Sequence, residues 1–238
     1  MKLDNMTVTS DPFVSLLLLS GGVGARSRHF EPKQFYELAG LPMIAHSIIP
    51  AIAETRIGEI VVNAPEGFEE RTHEIMKAYC GDKPYQVVEC GATRQESSHI
   101  LTLAARFDTV VLHEAARPFV NLAMYAELIN CSEPNAGFCY PIAYSMCEID
   151  FETRLVRNGV SREKIFDIQL PQKFGRATLL AAHEVAIRKE QSFTEDSVMV
   201  VTLAETPVLS LRGYSRNRKV TDPEDFFFAE RYLGDYSK

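Results

Sequence analysis

The stretch Phe13-Val-Ser-Leu-Leu-Leu-Leu-Ser-Gly-Gly-Val-Gly-Ala-Arg26 decides how the chain is read. Its apolar run, Phe13 to Leu19, is far too short to span a bilayer and has the composition of a buried strand. The run breaks into Gly21, Gly22 and Gly24. Glycines at the C-terminal end of a first strand let backbone N–H groups approach a phosphate that a Cβ would hold off. Arg26 and Lys33 follow as point charges, with Arg28 between them. A dinucleotide loop is disfavoured, because Ser27 stands where a third glycine belongs and the next strand ends in Asn63 rather than an acid. A Walker loop would need Gly-Lys-Ser/Thr, which does not follow. A triphosphate site is the reading preferred over a plain glycine turn with solvated charges.

Working outward, short β-rich runs alternate with helical patterns, which predicts an α/β fold with a mostly parallel sheet. The predicted strands are Phe13–Leu19, Ile60–Asn63, Gln86–Glu89, Thr109–His113, Ala136–Ile142 and Val208–Leu211. The predicted helices are Pro42–Ala53, Phe68–Tyr79, Gln95–Arg106, Leu122–Cys131, Leu179–Arg188 and Pro223–Tyr232. In the last of these, Thr221-Asp222-Pro223 puts proline at a natural first-turn position. One domain over 1–238 is expected. Between Ser145 and Val160 the alternation fails, and two short strands around a turn near Glu152-Thr153 are predicted instead. Such a hairpin, about 143–162, should project as an arm. Ile149, Phe151 and Leu155 on it would want a partner surface, most simply a second copy.

The composition narrows the partners. The chain has 238 residues, 46% hydrophobic and 24% charged, with 32 acidic against 25 basic groups and a net charge of −7. Disorder, collagen and coiled coil are excluded. A general nucleic-acid or membrane-surface binder is disfavoured, so any phosphate-binding charge must be local. Five cysteines without C-x-x-C spacing suit a reducing compartment and read as small buried hydrophobes. With Asp4 and Asp11 before the first apolar run, no signal or transit peptide is expected, and a cytoplasmic protein is.

The glycine loop, Gly22-x-Gly24-x-Arg26 with Lys33 in Pro-Lys-Gln, resembles the nucleotide loop of the cytidylyltransferases acting on polyol phosphates. These include 2-C-methyl-D-erythritol 4-phosphate cytidylyltransferase and ribitol-5-phosphate cytidylyltransferase. Four further stretches are similar to the family in the same order, so the resemblance covers about residues 14 to 233. Gly91-Ala-Thr-Arg94-Gln-Glu-Ser97 resembles a family Gly-x-x-Arg-x-x-Ser turn whose serine and backbone read cytosine. Thr93 could equally cap the helix. His113-Glu114-Ala-Ala-Arg117-Pro resembles His-Asp-Ala-x-Arg-Pro, with Glu114 one methylene longer than the family acid near the magnesium-bound triphosphate or the acceptor. By default Arg117 braces its loop and His113 is a satisfied core histidine. Ser145, Arg162 and Leu170-Pro-Gln fall where the family binds the acceptor phosphate, the arginine reaching across a dimer; Leu170 replaces a threonine. Asn217-Arg-Lys219-Val-Thr-Asp-Pro-Glu-Asp225 is similar to the stretch carrying a lysine near the α-phosphate, and Arg216 and Arg218 make it unusually cationic. Thr194-Glu-Asp196 resembles a family acidic turn and reads more simply as a helix cap with first-turn acids.

The resemblance implies a Rossmann-like sheet of the nucleotide-diphospho-sugar transferase type, twisted, with helices on both faces. It also implies an enzyme that moves CMP from CTP to a polyol phosphate and releases pyrophosphate. Arg26, Lys33 and Lys219 are then the catalytic cations. Gly21, Gly22, Gly24, Gly91, Arg94 and Ser97 join Arg26 and Lys33 around the nucleotide, and Ser145, Arg162 and Leu170 face the acceptor. Mg²⁺ is the implied cofactor, with Glu114 its candidate ligand, and a homodimer with swapped arms the implied assembly. The expected acceptor is 2-C-methyl-D-erythritol 4-phosphate of isoprenoid precursor synthesis, with ribitol 5-phosphate, giving CDP-ribitol for cell-surface polymers, the alternative. A rival of another class is a non-catalytic nucleotide-binding module, favoured by the departures at Glu114, Leu170 and Arg216 and opposed by the retained Arg26, Lys33 and Lys219. A nicotinamide enzyme is the third option.

Overall fold

A computed structural model describes residues 13–22 and 31–236. In chain order the elements are β1 (Val14–Leu19), β2 (Glu37–Leu38), β3 (Leu41–Pro42), α1 (Ala45–Ala53), β4 (Ile57–Ala64), α2 (Glu69–Tyr79) and β5 (Tyr85–Glu89). Then follow α3 (Arg94–Ala104), β6 (Thr109–Glu114), α4 (Leu122–Asn130), β7 (Ala136–Pro141), β8 (Met146–Ile149) and β9 (Val156–Val160). The chain closes with β10 (Phe166–Gly175), α5 (Arg176–Arg188), α6 (Asp196–Leu203), β11 (Leu209–Arg212) and α7 (Pro223–Tyr236).

Every residue of β1 is buried, as a central strand covered on both faces requires. Its side chains alternate between two cores. Leu16 and Leu18 pack with Ile60, Val62 and Val111 against Ile48 of α1, Met76 of α2 and Tyr125 of α4. Leu17 and Leu19 pack with Val61 and Leu112 against Leu101 of α3, Leu179 of α5 and Met199 of α6. Two helical layers thus sandwich a seven-stranded sheet of order β11-β7-β10-β6-β1-β4-β5. The sheet is mostly parallel, as expected.

β10 runs antiparallel to both β6 and β7 and is the departure from the sequence reading. Pro171 argues against a central strand, but the register shifts between Gln169 and Gln172, so the proline sits in a bulge where no ladder N–H is required. The short β2–β3 pair likewise has no counterpart among the predicted elements, and of α6 only the start has one, in the helix cap at Thr194-Glu-Asp196. β8 and β9 form a separate two-stranded sheet, the expected arm. Its turn is tied by Asp150, whose Oδ1 accepts from the N–H groups of Glu152 (3.1 Å) and Thr153 (2.8 Å). Tyr144 and Phe151 are 80% and 82% exposed. The cysteines are all unpaired; only Cys80 is buried and Cys147 is exposed on the arm, so burial explains one of them and not the set.

Chain order positions the site. From β1 the chain builds outward through β4 to β5, then returns to place β6 on the other side of β1. The C-terminal ends of β1 and β6 therefore flank a point where winding reverses, the place where open α/β sheets bind ligands.

Candidate functional site

A cleft of about 890 Å³ opens at that point. Its wall is Leu19 to Gly22 after β1, Gly91 to Arg94 and Ser97 at the start of α3, and Glu114 to Ala116 at the end of β6, with Lys33, Gln34, Lys219 and Thr221 closing it. That volume suits a nucleotide. A smaller cavity of about 240 Å³ beneath α6 is lined by no charged side chain.

The glycine positions follow from close approach. A Cβ on Gly21 would lie 2.3 Å from Cys90 Sγ, and one on Gly91 would lie 2.2 Å from Glu96 Cβ. At the start of α3, Thr93 Oγ1 accepts from Glu96 N–H (3.1 Å) while Glu96 Oε2 accepts from Ala92 N–H (2.7 Å). This reciprocal cap settles Thr93 as a helix cap. Ser97 Oγ accepts from Gly91 N–H at 3.1 Å, and no acceptor for its own O–H is found among the described residues. Buried on the cleft wall, it has a donor to offer.

Lys33 and Lys219, the two expected catalytic cations that are described, reach the cleft from opposite ends of the chain. Lys33 Nζ donates to the carbonyl of Val220 (2.7 Å), next to Lys219, so the first loop is stitched to the segment before α7. Lys219 Nζ lies 3.1 Å from Glu114 Oε1. Arg94 Nε reaches the same oxygen at 3.3 Å, and Arg117 Nε lies 3.5 Å from Oε2. Burial alone would raise the Glu114 carboxyl, but Lys219, Arg94 and Arg117 outweigh it and hold it down to about 2. Arg94 continues through Nη1 to Asp196 Oδ2 (2.5 Å), with Nη2 3.7 Å from Glu195. Arg117 donates to the carbonyls of Asn217 (3.0 Å) and Ile168 (3.3 Å), bracing the loop as expected. His113 is fully buried against the Arg117 carbonyl at 3.2 Å, and burial pushes it down to about 3.

Glu114 does not fit a magnesium ligand as arranged. Its oxygens face three cationic side chains, which repel a dication, and no cluster of three or more His, Cys, Asp or Glu suited to a metal occurs among the described residues. Its role in this structure is to hold cations.

The sequence profile described as "IspD: 2-C-methyl-D-erythritol 4-phosphate cytidylyltransferase" matches residues 14–235. The chain belongs to the IspD family. A 2-C-methyl-D-erythritol 4-phosphate cytidylyltransferase of Carboxydothermus hydrogenoformans is 28% identical over 222 residues, covering 91% of this chain and 94% of that relative. The crystal structure of the enzyme of the same description from Thermus thermophilus superposes with a TM-score of 0.74 at 28% identity, covering 92% and 98% of the two chains. A 4-diphosphocytidyl-2C-methyl-D-erythritol synthase from Anaerococcus prevotii shares the fold, with a TM-score of 0.81 at 22% identity over 93% and 98%. The chain is therefore a cytidylyltransferase by family, and the Rossmann-like fold expected from the resemblance is the one observed.

Of the residues expected at an IspD site, the cleft gathers Gly21, Gly22, Lys33, Gly91, Arg94, Ser97, Glu114 and Lys219. Gly24 and Arg26, with Arg28, lie outside the described residues. Arg94 lines the cleft but its guanidinium is committed to carboxylates, so it braces the wall rather than presenting a free fork to the nucleotide. Arg216 and Arg218 turn away onto the rings of Tyr214 and Phe228, leaving Lys219 to supply the charge of that stretch. Ser145 and Arg162 are exposed on the arm and do not line the cleft; Arg162 Nη1 donates to the carbonyl of Ala143 at 2.7 Å. Leu170 is fully buried in the core shared with α5 and α6, so its side chain is unavailable to an acceptor. The bulge in β10 turns it inward, and only its carbonyl is engaged, accepting from Asn217 Nδ2 at 2.6 Å. Glu195 stands at the N-cap position of α6 and Asp196 in its first turn, as read from sequence, but neither side chain makes a capping hydrogen bond, and Asp196 is buried and turned toward Arg94. Contact between residues that far apart in the chain leaves no local sequence signal.

Proposed function

We propose that this protein transfers CMP from CTP to 2-C-methyl-D-erythritol 4-phosphate, releasing pyrophosphate in isoprenoid precursor synthesis. The observation that carries this reading is the convergence of Lys33, Lys219, the Gly21–Gly22 turn and Ser97 on one cleft at the sheet's switch point. An acceptor phosphate oxygen attacks the α-phosphorus in line, a new P–O bond forms, and the bond to the bridging oxygen of pyrophosphate breaks. A phosphate monoester is already anionic at neutral pH, so no general base is required. Catalysis then rests on positioning and on charge placed where it develops. Backbone N–H groups around Gly21 and Gly22 approach the phosphates. Lys33 and Lys219, with Arg26, neutralise the α-phosphate and the departing pyrophosphate. Ser97 donates to the cytosine edge. Lys219 meets the phosphates from its place beside Glu114, whose buried charge Arg94 and Arg117 also share. Magnesium belongs to this reading as the counter-ion of the triphosphate, with no ligand from Glu114.

Ser145 and Arg162 belong to the same reading as acceptor contacts delivered by the arm of a second copy. Arg162 offers a bidentate fork to a phosphate. The arm's exposed Phe151, Leu155 and Val156 supply the apolar surface for a homodimer. No described helix is long and apolar enough to cross a membrane. A cytoplasmic enzyme with small-molecule substrates and without nucleic-acid or membrane partners belongs to the same reading, supported by the net charge of −7. The test is pyrophosphate release from CTP and Mg²⁺ with each acceptor separately. Release with 2-C-methyl-D-erythritol 4-phosphate and little with ribitol 5-phosphate supports the reading. The reverse transfers the chain to the ribitol branch, and CTP binding without turnover on either points to a binding module.

A further inference from the structure

A buried line of charge runs from the cleft to the far helical layer. Lys219 Nζ meets Glu114 Oε1 at 3.1 Å, and Arg94 Nε meets the same oxygen at 3.3 Å. Arg94 Nη1 meets Asp196 Oδ2 at 2.5 Å. Asp196 is itself fixed on its other side: Oδ1 accepts from Ser98 Oγ at 2.7 Å and lies 3.5 Å from His183 Nε2. The side chains of Glu114 and Asp196 are 8% and 1% exposed, whereas that of Lys219 is 42% exposed and stands in the cleft wall. The line thus has one anchored, buried end and one end exposed to a ligand in the cleft.

An exposed lysine on a flexible stem wanders among rotamers, and ordering it costs entropy at each binding event. A buried carboxylate shared between a lysine and an arginine removes that freedom only if the carboxylate is held in place. Arg94 holds Glu114, and it can do so in one orientation because Asp196 takes the other edge of its guanidinium. Were Asp196 neutral, Arg94 would keep Glu114 and Glu195 as its only anionic partners and could swing toward Glu195.

We infer that Asp196 is a positioning residue for the transfer reaction: through Arg94 it fixes Glu114, and through Glu114 it holds the ammonium of Lys219 over the cleft. The inference rests on the reading that Lys219 serves the nucleotide's phosphates. It makes the first turn of α6 part of the catalytic apparatus although neither of its acids need touch substrate.

A double-mutant cycle in CTP affinity, measured by calorimetry, tests it, with turnover recorded beside it. Asp196→Asn keeps an acceptor for Ser98 and removes only the charge. It should weaken CTP binding roughly tenfold in the native background, a size typical of groups joined in one ion-pair network, and should weaken it no further once Lys219→Ala is present. Ser98→Ala, on the opposite oxygen, should lower the melting temperature and leave CTP affinity within about twofold, as a merely structural contact does. Equal weakening by Asp196→Asn with and without Lys219 would overturn the relay, as would no weakening in a folded single variant. If Lys219→Ala itself binds CTP and turns over normally, the reading of Lys219 fails first, and the cycle shows which of the two has gone. Should Asp196→Asn not fold, Arg94→Lys takes its place: it keeps the charge, loses the fork, and must show the same non-additivity with Lys219→Ala.

Discussion

The cleft and the arm carry chemically similar residues in opposite settings. In the cleft, Glu114, Arg94 and Arg117 are buried or nearly so and bonded to one another across strands and helices far apart in the chain. On the arm, Ser145 and Arg162 flank the base of a separate two-stranded sheet, and the arm's apolar side chains Phe151, Leu155 and Val156 are exposed. The cleft has its walls and its cations Lys33 and Lys219 in one chain. The arm has the guanidinium fork of Arg162, which does not line the cleft. On the proposed reading, nucleotide recognition is built into the fold, while acceptor recognition is built into an assembly.

Disabling each half in turn should separate them. Lys219→Ala should cut kcat/KM by about 10²–10³, or about 2.7–4 kcal/mol, the loss expected for one preorganised donor, with an unchanged circular dichroism spectrum. Steady-state kinetics on the purified variant would check this; wild-type pyrophosphate release would remove Lys219 from the site. Arg162→Ala should cost about 1.5–3 kcal/mol, the worth of a charge-assisted hydrogen bond, and the loss should fall on the KM for the acceptor and not on that for CTP. A rise in the CTP KM instead would place Arg162 with the cleft and dissolve the distinction.

Acid should loosen the sheet before it loosens the arm. Burial lowers His113 to about 3 and His183 to about 4 from 6.5, so below 6.5 the unfolded chain binds protons that the folded chain refuses. Their stabilisation is full above pH 6.5 and is lost as pH falls, by about 1.4 kcal/mol per pH unit for each histidine. The Asp150 carboxyl in the arm turn, bonded to the Thr153 N–H and to Arg157, stays ionised down to about 2. Denaturant titrations at pH 7, 6 and 5 should show this slope, and His113→Phe should flatten part of it. A flat profile would contradict neutral buried histidines. The smallest effect on folding belongs to the arm's surface: Phe151→Ser should change stability by no more than about 0.5 kcal/mol, yet shift sedimentation toward the monomer. A dimer unaffected by that change would move the partner surface elsewhere.

The parts of the molecule visible in the sequence are those with local signals. The alternation of Leu16 to Leu19 between two cores, the glycine cluster after them, and the Asp150 to Thr153 turn all follow from residue type and period. Lys33 and Lys219 are assigned through family resemblance, since nothing in their own neighbourhoods brings the two ends of the chain together. β10 is hidden because Pro171 breaks the strand pattern that a bulge restores in three dimensions, and the same bulge turns Leu170 from a supposed acceptor contact into core. Asp196 is hidden because its partner Arg94 is 102 residues away and the two meet only when α3 and α6 pack on one face of the sheet.

The proposal that one copy's cleft works with another copy's arm has a direct test in subunit complementation. Lys219→Ala and Arg162→Ala chains, each impaired alone when the acceptor is held below its wild-type KM, are unfolded, mixed and refolded together, and pyrophosphate release from CTP and 2-C-methyl-D-erythritol 4-phosphate is measured under that condition. Mixed dimers pair an intact cleft with an intact arm, so activity should return well above either variant refolded by itself. Activity no higher than the sum of the two separate variants, from a mixture shown to contain mixed dimers, would contradict a site shared between copies.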